Sequence, residues 1–104
     1  MQPRQETNEA AFASNIQLYT DLIADNPNDS MAYINRGLNH FNLGHNEDAI
    51  SDFTHAIELK SIPLAALLIP YHKRGIAFTH LMKFDEAIED FSTCIQINDK
   101  NPAP

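Results

Sequence analysis

The sequence predicts an all-α fold: antiparallel helical hairpins stacked into a short α-solenoid of about five helices. Three observations predict it. The stretch Tyr33-Ile34-Asn35-Arg36-Gly37 … Ala49-Ile50-Ser51-Asp52-Phe53 … Ile57 returns as Tyr71-His72-Lys73-Arg74-Gly75 … Ala87-Ile88-Glu89-Asp90-Phe91 … Ile95, each matched pair 38 residues apart. A fixed period between about 20 and 50 residues marks a stacked array, built to hold a surface rather than a catalytic cleft. Apolar residues also recur at spacings of four and three, as in Phe12, Ile16, Tyr19 and Ile23. No segment alternates with period two over a useful length, so strands are not expected.

The elements follow in order. Residues 1 to about 8 are polar and expected to fray. The stripe from Phe12 to Ile23 makes the first helix, and Asn26-Pro27-Asn28-Asp29 is a turn signal. Ser30 can cap a second helix from Met31 to about Leu43, closed by Gly44 as a left-handed cap. Asn46 can cap a third helix reaching about Lys60, with Glu47 and Asp48 suited to the positive end of its dipole. Ser61 to Pro70 is apolar and bracketed by prolines. A fourth helix carries Tyr71 to about Met82, and a fifth runs from about Asp85 to Ile97. Pro63 suits a first helical turn, so the apolar segment is expected to lengthen the fourth helix, with Pro70 kinking it.

Composition narrows the function. Seven basic against fourteen acidic residues leave a net charge of −7, which argues against nucleic acid and anionic membrane surfaces as main partners. One cysteine, Cys94, excludes an internal disulfide. No apolar run approaches the 18 or so residues of a membrane span. The start, Met1 to Glu9, lacks an apolar signal core, so a cytoplasmic chain is expected unless a leader has been removed.

The repeated residues have packing reasons. Gly37 and Gly75 sit inside helices, where glycine costs about 1 kcal/mol relative to alanine. Close approach of the partner helix explains that cost. Ala49 and Ala87 are the small residues opposite, Phe53 and Phe91 fill the widening wedge, and Tyr33 and Tyr71 cover its other end. Arg36 with Asp52, and Arg74 with Asp90, are expected to form an ion pair in each hairpin, worth roughly 1 kcal/mol when partly exposed. The alternative is that the arginines reach a ligand's carboxylate.

This pattern resembles the tetratricopeptide repeat (TPR), a helix–turn–helix unit of about 34 residues. The family's aromatic, glycine, alanine, aromatic and small positions map to Tyr33, Gly37, Ala49, Phe53 and Ala56, then to Tyr71, Gly75, Ala87, Phe91 and Cys94. Cys94 is thereby expected to be buried structure rather than a nucleophile. Pro27 closes a preceding half repeat, with Tyr19 and the oversized Leu22 in its last two positions. The resemblance implies one right-handed TPR solenoid over residues 1–104: a half repeat at about 9–26, a repeat at about 30–61 with 62–69 inserted, a repeat at about 70–98, and a disordered tail at 99–104. The period exceeds the family's by four residues, placed in the apolar insertion.

The resemblance also implies a concave groove, lined by the first helix of each repeat, that binds an extended peptide or a partner helix. Carried over by position, Met31, Ile34, Leu38, Phe41 and Asn42 line it from the first full repeat, with Asn35 at its border. Ile69, His72, Lys73, Ile76, Thr79 and His80 line it from the second. The surface reads as apolar with a polar edge, which favours an apolar or amphipathic segment. One family subgroup grips chaperone C-terminal carboxylates with a lysine and an asparagine where this chain has Ile34 and Leu38. Asn35 and Lys73 match other members of that clamp, but the set is incomplete, which speaks against chaperone tails.

His72 and His80 lie eight residues apart, and His40, His45 and His55 form no recognised ligand spacing. No phosphate loop, nucleophile elbow or paired-carboxylate constellation is present, so no catalytic, cofactor or metal residues are expected. The reading is therefore a non-catalytic protein-interaction scaffold. The alternative is a self-assembling module, with a homodimer formed through Phe12 and Tyr19 at one end, Ile95 and Ile97 at the other, and the Leu64–Ile69 segment between.

Overall fold

A computed structural model describes the backbone of residues 4–99 and the side chains of residues 8–99. Among the described residues five α-helices run in order: α1 (Arg4–Asp25), α2 (Ser30–Asn42), α3 (Asn46–Leu59), α4 (Leu68–His80) and α5 (Phe84–Asp99). No strand occurs among the described residues. α2 packs on α3 and α4 on α5 as hairpins; α1 lies on α2, and α3 on α4. α2 also touches α4. The result is two layers, with α2 and α4 in one and α1, α3 and α5 in the other.

The first helix begins at Arg4, within the stretch expected to fray, and residues 1–3 lie outside the described residues. Of the tail expected at 99–104, Asp99 belongs to α5 and residues 100–104 lie outside the described residues. The α1–α2 turn is closed by backbone bonds from Asn26 N–H to the Leu22 carbonyl and from Asp29 N–H to the Asn26 carbonyl. Asp29, not Ser30, caps α2, its carboxylate accepting from Ala32 N–H at 3.2 Å. Ser30 is instead buried, and its hydroxyl lies 2.6 Å from that of Ser61, tying the start of α2 to the exit of α3.

α2 ends in a left-handed cap: Gly44 has φ 79°, its N–H donates to the Phe41 carbonyl, and His45 N–H donates to the His40 carbonyl. His45, not Asn46, precedes the first residue of α3, and its side chain makes no capping bond. α3 stops at Leu59 because Lys60 takes a left-handed conformation, φ 52°.

The apolar insertion resolves into a 3₁₀ turn, Leu64–Leu67, running directly into α4 at Leu68. Pro63 caps that turn rather than opening a long helix. Pro70 falls in the first turn of α4, where its missing N–H is one of the helix's orphan donors, so it costs no internal bond and breaks nothing. It is fully buried.

The core follows the repeat. Ala49, Phe53 and Ala56 have no exposed surface. A Cβ on Gly37 would lie 2.8 Å from Phe53 Cε1, and one on Gly75 would lie 2.7 Å from Phe91 Cε1, so both glycines do permit close helix approach. Ile97 is buried whereas Ile95 is 62% exposed, which removes Ile97 from the expected sticky end. Phe12 and Tyr19 are half-buried. Among the described residues no helix is long and apolar enough to cross a membrane.

Candidate peptide-binding groove

The α2–α4 layer presents the face assigned to the groove. Both arginines on these helices are fully engaged inside the array. Arg36 donates from Nε and Nη2 to the two carboxylate oxygens of Asp52, at 2.9 and 2.7 Å. Arg74 repeats this with Asp90 at 2.8 and 2.6 Å. The remaining nitrogen of each reaches back one helix, Arg36 to Thr20 at 3.3 Å and Arg74 to Thr54 at 3.0 Å. Such bidentate pairs fix both geometry and charge. The Asp52 hydrogen bond raises the Arg36 pKa against burial. For Arg74 burial is the largest influence and opposes the charge, but the Asp90 hydrogen bond and charge outweigh it, and its pKa also rises. The expected ion pairs are present, and the arginines are not free to take a ligand's carboxylate.

The residues assigned to the groove divide into four sets. Phe41, Lys73 and His80 meet across the two helices: the Phe41 and His80 rings stack with centroids 5.9 Å apart, and Lys73 Nζ lies 5.3 Å from the Phe41 centroid. His80 Nδ1 also lies 3.2 Å from Asn46 Oδ1, anchoring it to α3. Met31, Asn42 and Thr79 are exposed, and Asn35 and Ile76 are half-buried. Thr79 donates its hydroxyl to the Gly75 carbonyl, and the Asn35 carbonyl accepts from Asn39 Nδ2.

Ile34 belongs elsewhere. It is 2% exposed and clusters with Tyr33 and Ala56, with Ile23, Leu38, Leu59 and Ile62 packed against them. Ile62 comes from the insertion, so the extra residues help to seal a position that positional analogy left open. Leu38 shares that cluster with part of its surface still accessible.

Ile69 and His72 open onto a cavity of about 310 Å³ between α4 and α5, lined also by Leu68, Cys94 and Asn98. The His72 ring sits 6.2 Å from that of Phe91. Cys94 is only half-buried, contrary to expectation, because no further helix covers α5 among the described residues. Burial, aided by the nearby Asp90, raises its thiol pKa, which disfavours the reactive thiolate.

Sequence reasoning missed two contacts beside the groove. Asn15 of α1 donates to Asn39 Oδ1 at 3.2 Å, continuing a chain to Asn35. No sequence signal marked it, because the Asn39 amide reaches the Asn35 backbone carbonyl, a group that every helical residue offers. It also missed that His40 and His45 meet, with Nδ1 atoms 3.3 Å apart. Burial lowers the His40 pKa, and the nearby Asp48 carboxylate opposes that shift.

Comparison with known proteins agrees with the architecture. The family model for the tetratricopeptide repeat matches residues 32–62 and 70–101. Peptidyl-prolyl cis-trans isomerase CYP7 of Saccharomyces cerevisiae is 33% identical over 70 residues, covering 67% of this chain and 17% of that protein. DnaJ homolog subfamily C member 7 of Mus musculus is 31% identical over 84 residues, covering 77% of this chain and 16% of that protein. The chain thus spans less than a fifth of these two relatives. Among solved structures, the second TPR of Spaghetti (RPAP3) bound to HSP90 peptide SRMEEVD superposes with a TM-score of 0.75 at 29% identity, covering 83% of this chain and 76% of that one.

Proposed function

Since the chain belongs to the tetratricopeptide-repeat family, we propose that it is a non-catalytic interaction scaffold whose α2–α4 face binds an apolar or amphipathic peptide segment. The observation that carries this reading is the Phe41–Lys73–His80 group. It joins an aromatic surface to a cation across two helices, and Lys73 has no carboxylate partner among the described residues. Ile76 and Met31 extend the apolar part, with Asn35 and Asn42 as the polar edge. Such a surface suits a short segment with spaced apolar anchors and an acidic group near Lys73.

The structural neighbour's HSP90 peptide suggests a second ligand, an acidic chaperone tail. Asn35 and Lys73 favour it. Ile34 and Leu38 at the clamp positions disfavour it, as do two arginines already committed to aspartates. The test is an NMR titration of the labelled chain with SRMEEVD and with an amphipathic apolar peptide carrying one carboxylate. We expect the second to bind more tightly and to shift Phe41, Lys73 and Ile76, and Ile76→Glu to abolish those shifts. Shifts confined to the outer faces of α3 and α5 would sink the groove assignment; tighter binding of SRMEEVD would replace its ligand.

Self-association remains the alternative reading, supported by Phe84, Ile88 and Ile95, which leave an exposed apolar stripe on α5. Sedimentation showing a monomer at high micromolar concentration would remove it.

A further inference from the structure

The turn between α2 and α3 gathers three side chains with metal-ligand chemistry. His40 lies in the last turn of α2, His45 immediately precedes α3, and Asp48 lies in its first turn. Their donor atoms all lie within 4.8 Å of one another. The two Nδ1 atoms are 3.3 Å apart, and His40 Nδ1 is 3.9 Å from Asp48 Oδ2. The geometry points to a site for a divalent cation of the zinc type, held by His40 Nδ1, His45 Nδ1 and an Asp48 carboxylate oxygen.

Three arguments support this. The first is distance. Zinc–nitrogen bonds of about 2.0–2.1 Å in a tetrahedral shell separate neighbouring ligand atoms by about 3.3–3.4 Å, the spacing the two imidazole nitrogens already have. Asp48 is exposed, so a small side-chain rotation brings its oxygen into the same shell. The fourth position stays open to water or to a partner's donor.

The second is rigidity of the frame. The hydrogen bond from His45 N–H to the His40 carbonyl, 2.9 Å, closes the left-handed turn at Gly44 and fixes the spacing of the two histidine backbones. Ligands held by a hydrogen-bonded turn lose little freedom on binding.

The third is an internal control. The α4–α5 turn has the same bonds, Lys83 N–H to the Phe78 carbonyl at 2.8 Å and Met82 N–H to the Thr79 carbonyl at 3.0 Å. Its corresponding side chains are Phe78, Lys83 and Glu86, which offer no such site. The turn therefore does not require the histidines, and their pairing needs another reason. Two imidazole nitrogens and one carboxylate select a borderline d-block ion over magnesium or calcium, which prefer all-oxygen shells. A cation here would also brace the last turn of α2, which carries Phe41.

Zinc chloride titrated into the whole chain at neutral pH tests the site. The readouts are calorimetry, the ring signals of all five histidines, and the melting temperature with and without chelator. We expect one zinc per chain with micromolar affinity, ring shifts at His40 and His45 only, and a rise in melting temperature that a chelator reverses. His45→Lys, which copies the second turn, and Asp48→Asn should each weaken binding roughly tenfold or more. Both positions are exposed, so a far-UV spectrum confirms that the variants fold. His72→Ala should bind zinc as the unaltered chain does. The proposal fails if zinc produces no shift at His40 and His45, if His45→Lys binds equally well, or if the shifts spread evenly over all five histidines. The first of these results would identify the 3.3 Å contact as a plain imidazole–imidazole hydrogen bond.

Discussion

Hairpin α2–α3 is flanked on both sides, by α1 and by α4, whereas hairpin α4–α5 is flanked on one side only, by the α2–α3 hairpin, among the described residues. The two share their repeat residues, their glycine wedges and their arginine–aspartate pairs. They do not share burial. Phe53 has no exposed surface and its counterpart Phe91 is half-buried; Ala56 is sealed and its counterpart Cys94 is not. The same residue in the same unit therefore carries a different energetic weight according to its place in the stack. A solenoid's stability is a sum of unit and interface contributions, and the inner unit collects two interfaces.

The largest break of this comparison is Phe53→Ala, expected to cost about 3–5 kcal/mol because it opens a cavity in a fully enclosed site. Phe91→Ala should cost about half as much. Urea denaturation of both variants checks this, and equal losses would show that the flanking helices contribute nothing at Phe53. Next comes the glycine pair. In Gly37→Ala the new methyl group meets a ring with nowhere to move, so overpacking outweighs the helix-propensity gain and about 1–2 kcal/mol is lost. In Gly75→Ala the half-exposed Phe91 can yield, and the stability should stay within about 0.5 kcal/mol of the parent. The smallest effect is a gain. Met82 sits at φ 62°, where Gly44 serves in the first turn. Met82→Gly should raise stability by about 0.5–1 kcal/mol by removing left-handed strain from an exposed side chain. A neutral or negative shift in the melting temperature would show that the Met82 side chain makes a contact worth keeping.

Much of this was legible in the sequence, for a physical reason. A repeat places each structural residue in the same register twice, so the Arg36–Asp52 spacing and the Arg74–Asp90 spacing each predict the other. Ile95 and Ile97 were also legible in principle: two residues apart on a helix they face nearly opposite ways, so only one can be exposed on a given face. Ile34 was not legible, because its cover comes from Ile62 in an insertion for which no repeat supplies a template. The meeting of His40 with His45 was hidden too. Five residues is not a helical neighbour spacing; it becomes one only when a left-handed residue folds the chain back. The residues assigned to the groove do not form one set, since His72 and Ile69 turn toward α5 while Phe41 and His80 turn toward each other.

The threonine–arginine–aspartate contacts run from α1 through α2 to α3, and again from α3 through α4 to α5. Under tension they behave as two rivets, and the rivets are unequal. The outer one depends on an exposed 3.3 Å contact from Arg36 to Thr20, while the inner uses a part-buried 3.0 Å contact from Arg74 to Thr54. A pull applied along the array is expected to separate α1 first and leave the two full hairpins joined; force spectroscopy in which the hairpins part before α1 would overturn this.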